Sequence, residues 1–254
     1  MLLVIDIGNS NVTIGCYEED KLSFTARCST DINKTGDQYA VDLYNILQLY
    51  KCDSDKIQDC IICSVVPTVN NALIHAVKMI IGKAPICVGP GIKTGLNIVI
   101  DNPAQLGADL VAGAVGAVDK YPLPCIILDL GTATTIFAVD KKGNFLGGAI
   151  CAGVNLTLDA LSSRTSMLPK ISIDAPKSPI GTNTVDSMKS GLIFGTSAMI
   201  DGMISRFENT IGEECSVVAT GGLSKTIIEH CEKDIVIDET LLLDGLKKIY
   251  RLNK

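Results

Sequence analysis

The chain opens on an unbroken apolar run, Leu2-Leu3-Val4-Ile5, which ends in Asp6-Ile7-Gly8-Asn9-Ser10-Asn11 and resumes as Val12–Tyr17. Apolar runs bounded by turn residues predict a buried strand, a tight turn and a second strand. Leu22–Cys28 alternates as a third strand after the polar turn at residues 18–21. The spacing then changes. Tyr39, Val41, Leu43, Tyr44, Ile46 and Leu47 recur at helical intervals, so Asp37–Tyr50 reads as an amphipathic helix. Asp59–Val66 is a buried strand closed by Pro67, Thr68–Gly82 a helix ending on glycine, and Pro85–Val88 a short strand. The loop Gly89–Gly95 has the spacing of neither a Walker loop nor a dinucleotide fingerprint, and a plain turn cluster fits it equally well. Ala104–Lys120 has helical character, with Gly107-Ala108-Asp109 in its first turns. An acid there either complements the helix N-terminus or serves chemistry. Tyr121–Pro124 reads as the connector between the two halves of the chain.

The second half repeats the first. Cys125–Leu130, Thr134–Val139 and Phe145–Ile150 read as three strands, with a polar turn at residues 140–144. A helix near Asn155–Ser163 comes next, then an irregular stretch from Pro169 to Pro179. A long helix runs from Thr184 to about Ile211, interrupted by Gly191, Gly195 and Gly202. Each internal glycine costs roughly 1 kcal/mol against alanine, so close packing against backbone or ligand is expected. Strand Ser216–Ala219 enters Thr220-Gly221-Gly222, and helix Leu223–Cys231, strand Ile235–Ile237 and helix Leu241–Tyr250 complete the chain. The order βββαβα occurs twice. It predicts two α/β domains of related topology, residues 1–122 and 123–254, with a ligand cleft between them.

The repeat carries the chemistry. Asp6-Ile7-Gly8 recurs 123 residues later as Asp129-Leu130-Gly131, again after a buried strand and before Thr132-Ala133-Thr134-Thr135. A strand that delivers a carboxylate to a tight glycine turn suits a phosphate and its cation. Glycine lets the backbone approach the ligand, and the N–H and hydroxyl groups beyond it supply donors.

Composition narrows the class. A net charge of −6 and the absence of any Lys/Arg run argue against a nucleic-acid partner. No apolar stretch reaches the roughly 18–20 residues that cross a bilayer, and no leader-like segment precedes the first strand, so the cytoplasm is the expected compartment. The ten cysteines lie singly in apolar segments and read as buried free thiols. Cys60 and Cys63 match C-x-x-C, but residues three apart on a strand point to opposite faces and cannot share a metal. The two histidines fall in helical patterns, which removes zinc and thioredoxin chemistry from consideration.

Together, the doubled Asp-x-Gly turn, the duplicated α/β pattern and the late Ala219-Thr220-Gly221-Gly222 resemble the superfamily of acetate and sugar kinases, heat-shock chaperones and actin. Within it the chain is similar to the type III pantothenate kinases. Matching segments include Asp6–Asn11, Gly107–Asp109, Asp129–Thr135, Leu146–Ile150, Ala160–Arg164, Gly181–Thr184 and Ala219–Leu223, in the family's order along the whole chain. The resemblance implies two actin-like (ribonuclease H-like) domains with mixed sheets flanked by helices and an interdomain nucleotide cleft. It also implies phosphoryl transfer from ATP to the hydroxyl of pantothenate, the first step toward coenzyme A.

On that resemblance, residues Asp6, Ile7, Gly8, Asn9, Ser10, Asn11, Val12 and Thr13 wrap the ATP phosphates, Asp6 helps to hold Mg2+, and Thr132 also reaches the nucleotide. Asp129 corresponds to the ligand of a monovalent cation (K+ or NH4+), and Asp109 to the general base. Ile100, Gly107, Ala108, Asp109, Leu110 and Thr184 take the substrate positions, with the pantothenate pocket at a homodimer interface. Two positions depart from the family pattern. Leu110 stands where the family carries Arg, and Val99-Ile100 where it carries Arg-Tyr. Both changes fall in the acceptor region, where an Arg would offer a positive fork to a carboxylate. Besides pantothenate kinase, the sequence therefore admits a kinase of the same fold for another small alcohol, or a noncatalytic nucleotide-binding accessory protein.

Overall fold

In the computed structural model, which describes residues 1–254, strand β1 (Leu2–Ile7) is the axis of the first sheet. It pairs antiparallel with β2 (Asn11–Glu18) and parallel with β4 (Asp59–Ser64). With β3 (Lys21–Ser29) and β5 (Ile86–Cys87) the sheet runs β3-β2-β1-β4-β5. Side chains alternate across it. Leu3, Ile5 and Ile7 enter a core with Tyr39, Leu43 and Leu47 of α1 (Gly36–Leu49) and Val69, Leu73 and Val77 of α2 (Pro67–Ile81). The opposite face carries Val4 and Asp6. Thr35 caps α1 in a reciprocal box with Gln38, and left-handed Gly82 ends α2.

The second sheet repeats the plan. β7 (Cys125–Leu130) pairs antiparallel with β8 (Ala133–Val139) and parallel with β10 (Ser216–Thr220). With β9 (Asn144–Ala152), β11 (Val236–Ile237) and the short β6 (Asn97–Ile98), the order is β11-β10-β7-β8-β9-β6. Without β6, this is the first sheet's order again. Ile126, Leu128 and Leu130 pack with Leu192, Ile193, Ile200 and Ile204 of α5 (Thr184–Ile211) and Leu158 of α4 (Val154–Arg164). The expected pair of related α/β halves with mixed sheets and flanking helices is thus present.

The halves do not follow one cut in the sequence. Residues 1–95, 102–116 and 241–254 form one compact unit, and residues 96–101 and 117–240 the other, where the sequence suggested a boundary at 122/123. The cause lies in the last helix, α7 (Leu241–Leu252), which buries Leu241, Leu243, Leu246 and Ile249 and packs on β1 and β4 of the first unit. Tyr17 Oη donates to Asp244 at 2.8 Å and Tyr250 Oη to Asp59 at 2.7 Å. A Cβ on Gly245 would lie 1.9 Å from the Ala112 carbonyl oxygen of α3 (Ala108–Lys120), so the two helices touch backbone to backbone.

Three other expectations are corrected. The Ala104–Lys120 pattern is a short 3-10 turn at Pro103–Gln105 followed by α3, which begins only at Ala108 and carries Asp109 in its first turn. The predicted helix Leu223–Cys231 contracts to α6 (Ser224–Ile228). Gly191 and Gly195 of α5 have open space where a side chain would stand, so the close packing predicted for them does not occur within this chain. No helix is long and apolar enough to cross a membrane.

Candidate active site

Neighbouring residues in adjacent strands point to the same face, so the register around each Asp-x-Gly turn fixes a row of side chains. In the first unit the row reads Cys63, Asp6, Thr13, Arg27 across β4, β1, β2 and β3. In the second it reads Thr220, Asp129, Thr135, Ile150 across β10, β7, β8 and β9. Each acid therefore lies between a threonine on its antiparallel neighbour and a thiol or hydroxyl on its parallel one.

In the first unit, the Gly8 N–H donates to the Asn11 carbonyl at 3.0 Å and closes the turn. Thr30 braces it, with Oγ1 donating to the Gly8 carbonyl at 2.6 Å and its N–H to the Ser10 carbonyl at 3.0 Å. Asn9, Ser10 and Asn11 are exposed at the tip, where a phosphate chain can reach them. Below the tip, the Cys63 thiol donates to Asp6 Oδ1 at 2.9 Å. Burial, helped by the charge of Asp109, raises the Asp6 carboxyl from 3.8 to about 6 against the pull of the Cys63 hydrogen bond and the Arg27 charge. Burial likewise drives the Cys63 thiol well above its ordinary range, so it stands as a donor.

Asp109 occupies the first turn of α3, where the Leu110 N–H donates to its Oδ1 at 2.8 Å. Its carboxyl is also raised, by burial, against the pull of these backbone donors. The helix-end role and the chemical role are compatible, because the same hydrogen bond that satisfies the helix orients the carboxylate. It comes from the main chain, so leucine at 110 supplies it as well as arginine would. Gly107 leaves room for the fold-back, since a Cβ there would lie 2.4 Å from Asp109 Oδ1. Asp6 and Asp109 are thus two half-buried acids within electrostatic reach of one another, an arrangement that fits a hard divalent cation and anionic phosphates.

In the second unit the Gly131 N–H donates to the Ala133 carbonyl at 3.1 Å, and Thr132 is exposed at the tip. Thr135 Oγ1 is buried with no hydrogen-bond partner. Left-handed Gly221 (φ 96°) lies against the acid; a Cβ there would stand 2.6 Å from Asp129 Oδ1 and from the Leu130 carbonyl carbon. A carboxylate and an unsatisfied hydroxyl on one face form an oxygen-donor set suited to a hard cation.

The remaining predicted substrate positions are separate from this row. Thr184 is the first residue of α5, after the Asn183 cap, and lines a cavity of about 670 Å3 with Thr157, Leu161, Leu168 and Met188. Ile100 lies beyond β6, near Gly147. Sequence reasoning missed two neighbours of the acids, Cys63 and Thr135, and Thr30, which braces the Gly8 turn. Cys63 reads as one more buried thiol, and Thr135 and Thr30 as ordinary strand and loop residues. Only strand register could have found them.

The comparisons with known proteins agree with one another. The sequence model of the type III pantothenate kinase family matches residues 2–206. A type III pantothenate kinase of Citrifermentans bemidjiense is 42% identical over 254 residues, and one of Syntrophotalea carbinolica 39%, each over 100% of both chains. Among solved structures, the fold is similar to (R)-2-hydroxyglutaryl-CoA dehydratase component A of Acidaminococcus fermentans. That match has a TM-score of 0.60 and 12% identity, covering 100% of this chain and 99% of that one.

Proposed function

The chain belongs to the type III pantothenate kinase family, and from that premise we infer how its residues carry out the reaction. The activity is ATP-dependent phosphorylation of pantothenate to 4'-phosphopantothenate, the first step of coenzyme A synthesis. The observation that carries the site assignment is the Asp6 carboxylate just below the exposed turn at Asn9–Asn11, within electrostatic reach of Asp109.

Residues 6–13 hold the ATP phosphates on backbone and side-chain donors. Asp6 would help to hold Mg2+, which would neutralise charge on the phosphate oxygens. Asp109 accepts the proton of the pantothenate hydroxyl as the new P–O bond forms and the bond to the ADP oxygen breaks. Its raised carboxyl suits this task, since a base closer to the working pH takes a proton more readily. Asp129 would hold the monovalent cation with Thr135 beside it, a role supported by the unsatisfied hydroxyl.

Thr184 contributes to the pantothenate pocket. The cavity at Thr184 mixes apolar and hydroxyl groups and lies within the size range of small-molecule sites. A second copy of the chain completes the pocket. Ile150, Leu156, Met167 and Ile180 of the second unit are exposed, and Gly191 and Gly195 leave a flat stretch on α5, as a subunit contact requires. The enzyme works in the cytoplasm on this reading.

Mass spectrometry of the product from MgATP and pantothenate tests the activity, with 4'-phosphopantothenate as the expected species. Sedimentation of the purified protein tests the dimer, and a monomer at micromolar concentration contradicts it.

A further inference from the structure

We propose that Cys63 is a positioning residue for Asp6: its thiol clamps Oδ1 and sets the plane of the carboxylate for the magnesium–phosphate group. The proposal rests on the kinase reading above and goes beyond it, because it gives work to a side chain outside the phosphate turn.

Four observations converge. Cys63 is fully buried, and its Sγ lies 2.9 Å from Asp6 Oδ1. It is the parallel-strand partner of Asp6 in strict register, so two strands of the sheet fix the distance between the two groups. Asp6 sits at the C-terminal end of β1, one residue from the chain's turn, where an unclamped carboxylate would be free to rotate about its side-chain bonds. The internal repeat offers the control: the same topological position in the second sheet holds Thr220, so each acid has an S–H or O–H donor type on its parallel neighbour. An apolar residue would pack equally well at a purely structural position, as Cys60 does in the core of the same strand.

The work of the clamp is orientation. A carboxylate whose first oxygen is tied to a neighbouring strand presents its second oxygen in one direction. That lowers the cost of ordering it when metal and nucleotide arrive.

The test compares Cys63→Ala and Cys63→Ser in the full-length protein, with three readouts: steady-state kinetics, MgATP affinity by calorimetry and thermal melting. Loss of a hydrogen bond to a charged group is expected to lower kcat and MgATP affinity by roughly 10-fold or more in the alanine variant. KM for pantothenate should stay within about twofold, since the acceptor does not depend on this clamp. The serine variant, which keeps a donor at the same place, should recover both losses to within about threefold. A structural role would instead lower the melting temperature of the alanine variant without separating kcat from KM. That outcome overturns the proposal, as does an alanine variant equal to wild type or a serine variant as impaired as alanine. Wild-type protein that binds MgATP but leaves pantothenate unphosphorylated would overturn the kinase reading alone. The loss and recovery of MgATP affinity across the two variants still decides the role of Cys63.

Discussion

The two Asp-x-Gly turns share a strand order and differ in what surrounds the acid. The row through Asp6 ends in Arg27, whose charge opposes the rise in the Asp6 carboxyl, and Asp109 adds a second acid nearby. The row through Asp129 ends in Ile150, 76% exposed, with threonines on both neighbouring strands. Duplication thus kept the scaffold and changed the charge set. The first turn has an arginine in its row and a second acid within electrostatic reach, which suits the proposed role with phosphates, metal and proton transfer. The second has no arginine in its row and presents oxygen donors, which suits the proposed monovalent cation. One topology serves two electrostatic tasks because strand register places equivalent side chains, while side-chain identity remains free to diverge.

The sharpest way to break this contrast is at the base. Asp109→Asn keeps shape and loses proton acceptance, so turnover should fall by about 10^2- to 10^4-fold while ATP affinity stays within about twofold by calorimetry. Near-wild-type turnover would remove Asp109 from the reaction.

Asp6 offers a test of stability rather than rate. Its folded-state value, about 6, lies above the ordinary 3.8, so the native state holds the proton longer than the unfolded chain. Stability therefore falls as pH rises from about 4 to about 6 and stays low above that range. Asp6→Asn should stabilise the nucleotide-free protein by up to about 3 kcal/mol at pH 8, and the gain should vanish near pH 4. Denaturant melts at the two pH values check it, and a gain independent of pH would contradict the role of burial.

Gly221→Ala probes the second turn. The added methyl meets Asp129 Oδ1 and the Leu130 backbone at a positive φ, so a loss of about 2 kcal/mol is expected in thermal melts. The smallest effect is expected at Thr135. Thr135→Val removes the unsatisfied hydroxyl at nearly constant volume and should weaken half-saturation by K+ or NH4+ by a few-fold, about 3- to 10-fold. Asp129→Ala should abolish the cation response altogether. An unchanged response in both variants would move the cation site elsewhere.

Much of the fold and of the site is legible in the residues alone. Apolar runs and helical spacing locate β1, β2, β4, β7, β8, α1, α2 and α5 to within a few residues, because each buries a continuous face. The acids and their turns are legible for the same reason: a polar residue ending a buried strand stands out. Long-range contacts are not. Nothing local in Leu241–Leu252 says that its apolar stripe belongs on β1 and β4, so a boundary at 122/123 misses the returning helix. Cys63 escapes notice because a cysteine in an apolar strand looks the same whether it meets leucine or a carboxylate. Its partner is 57 residues away and is set by register alone. The glycines of α5 are expected to pack closely, yet they face open space within the chain, since sequence does not say which copy of a chain a small residue serves.

The chain is a pantothenate kinase, and on the proposed roles its Asp129 turn takes a stimulating monovalent cation. ADP release from MgATP, with pantothenate present or absent, tests it most directly when measured in sodium alone and again with potassium or ammonium. The account predicts release that requires pantothenate and rises with potassium or ammonium. Saturable ATP binding without pantothenate-dependent release in any of these salts would contradict it.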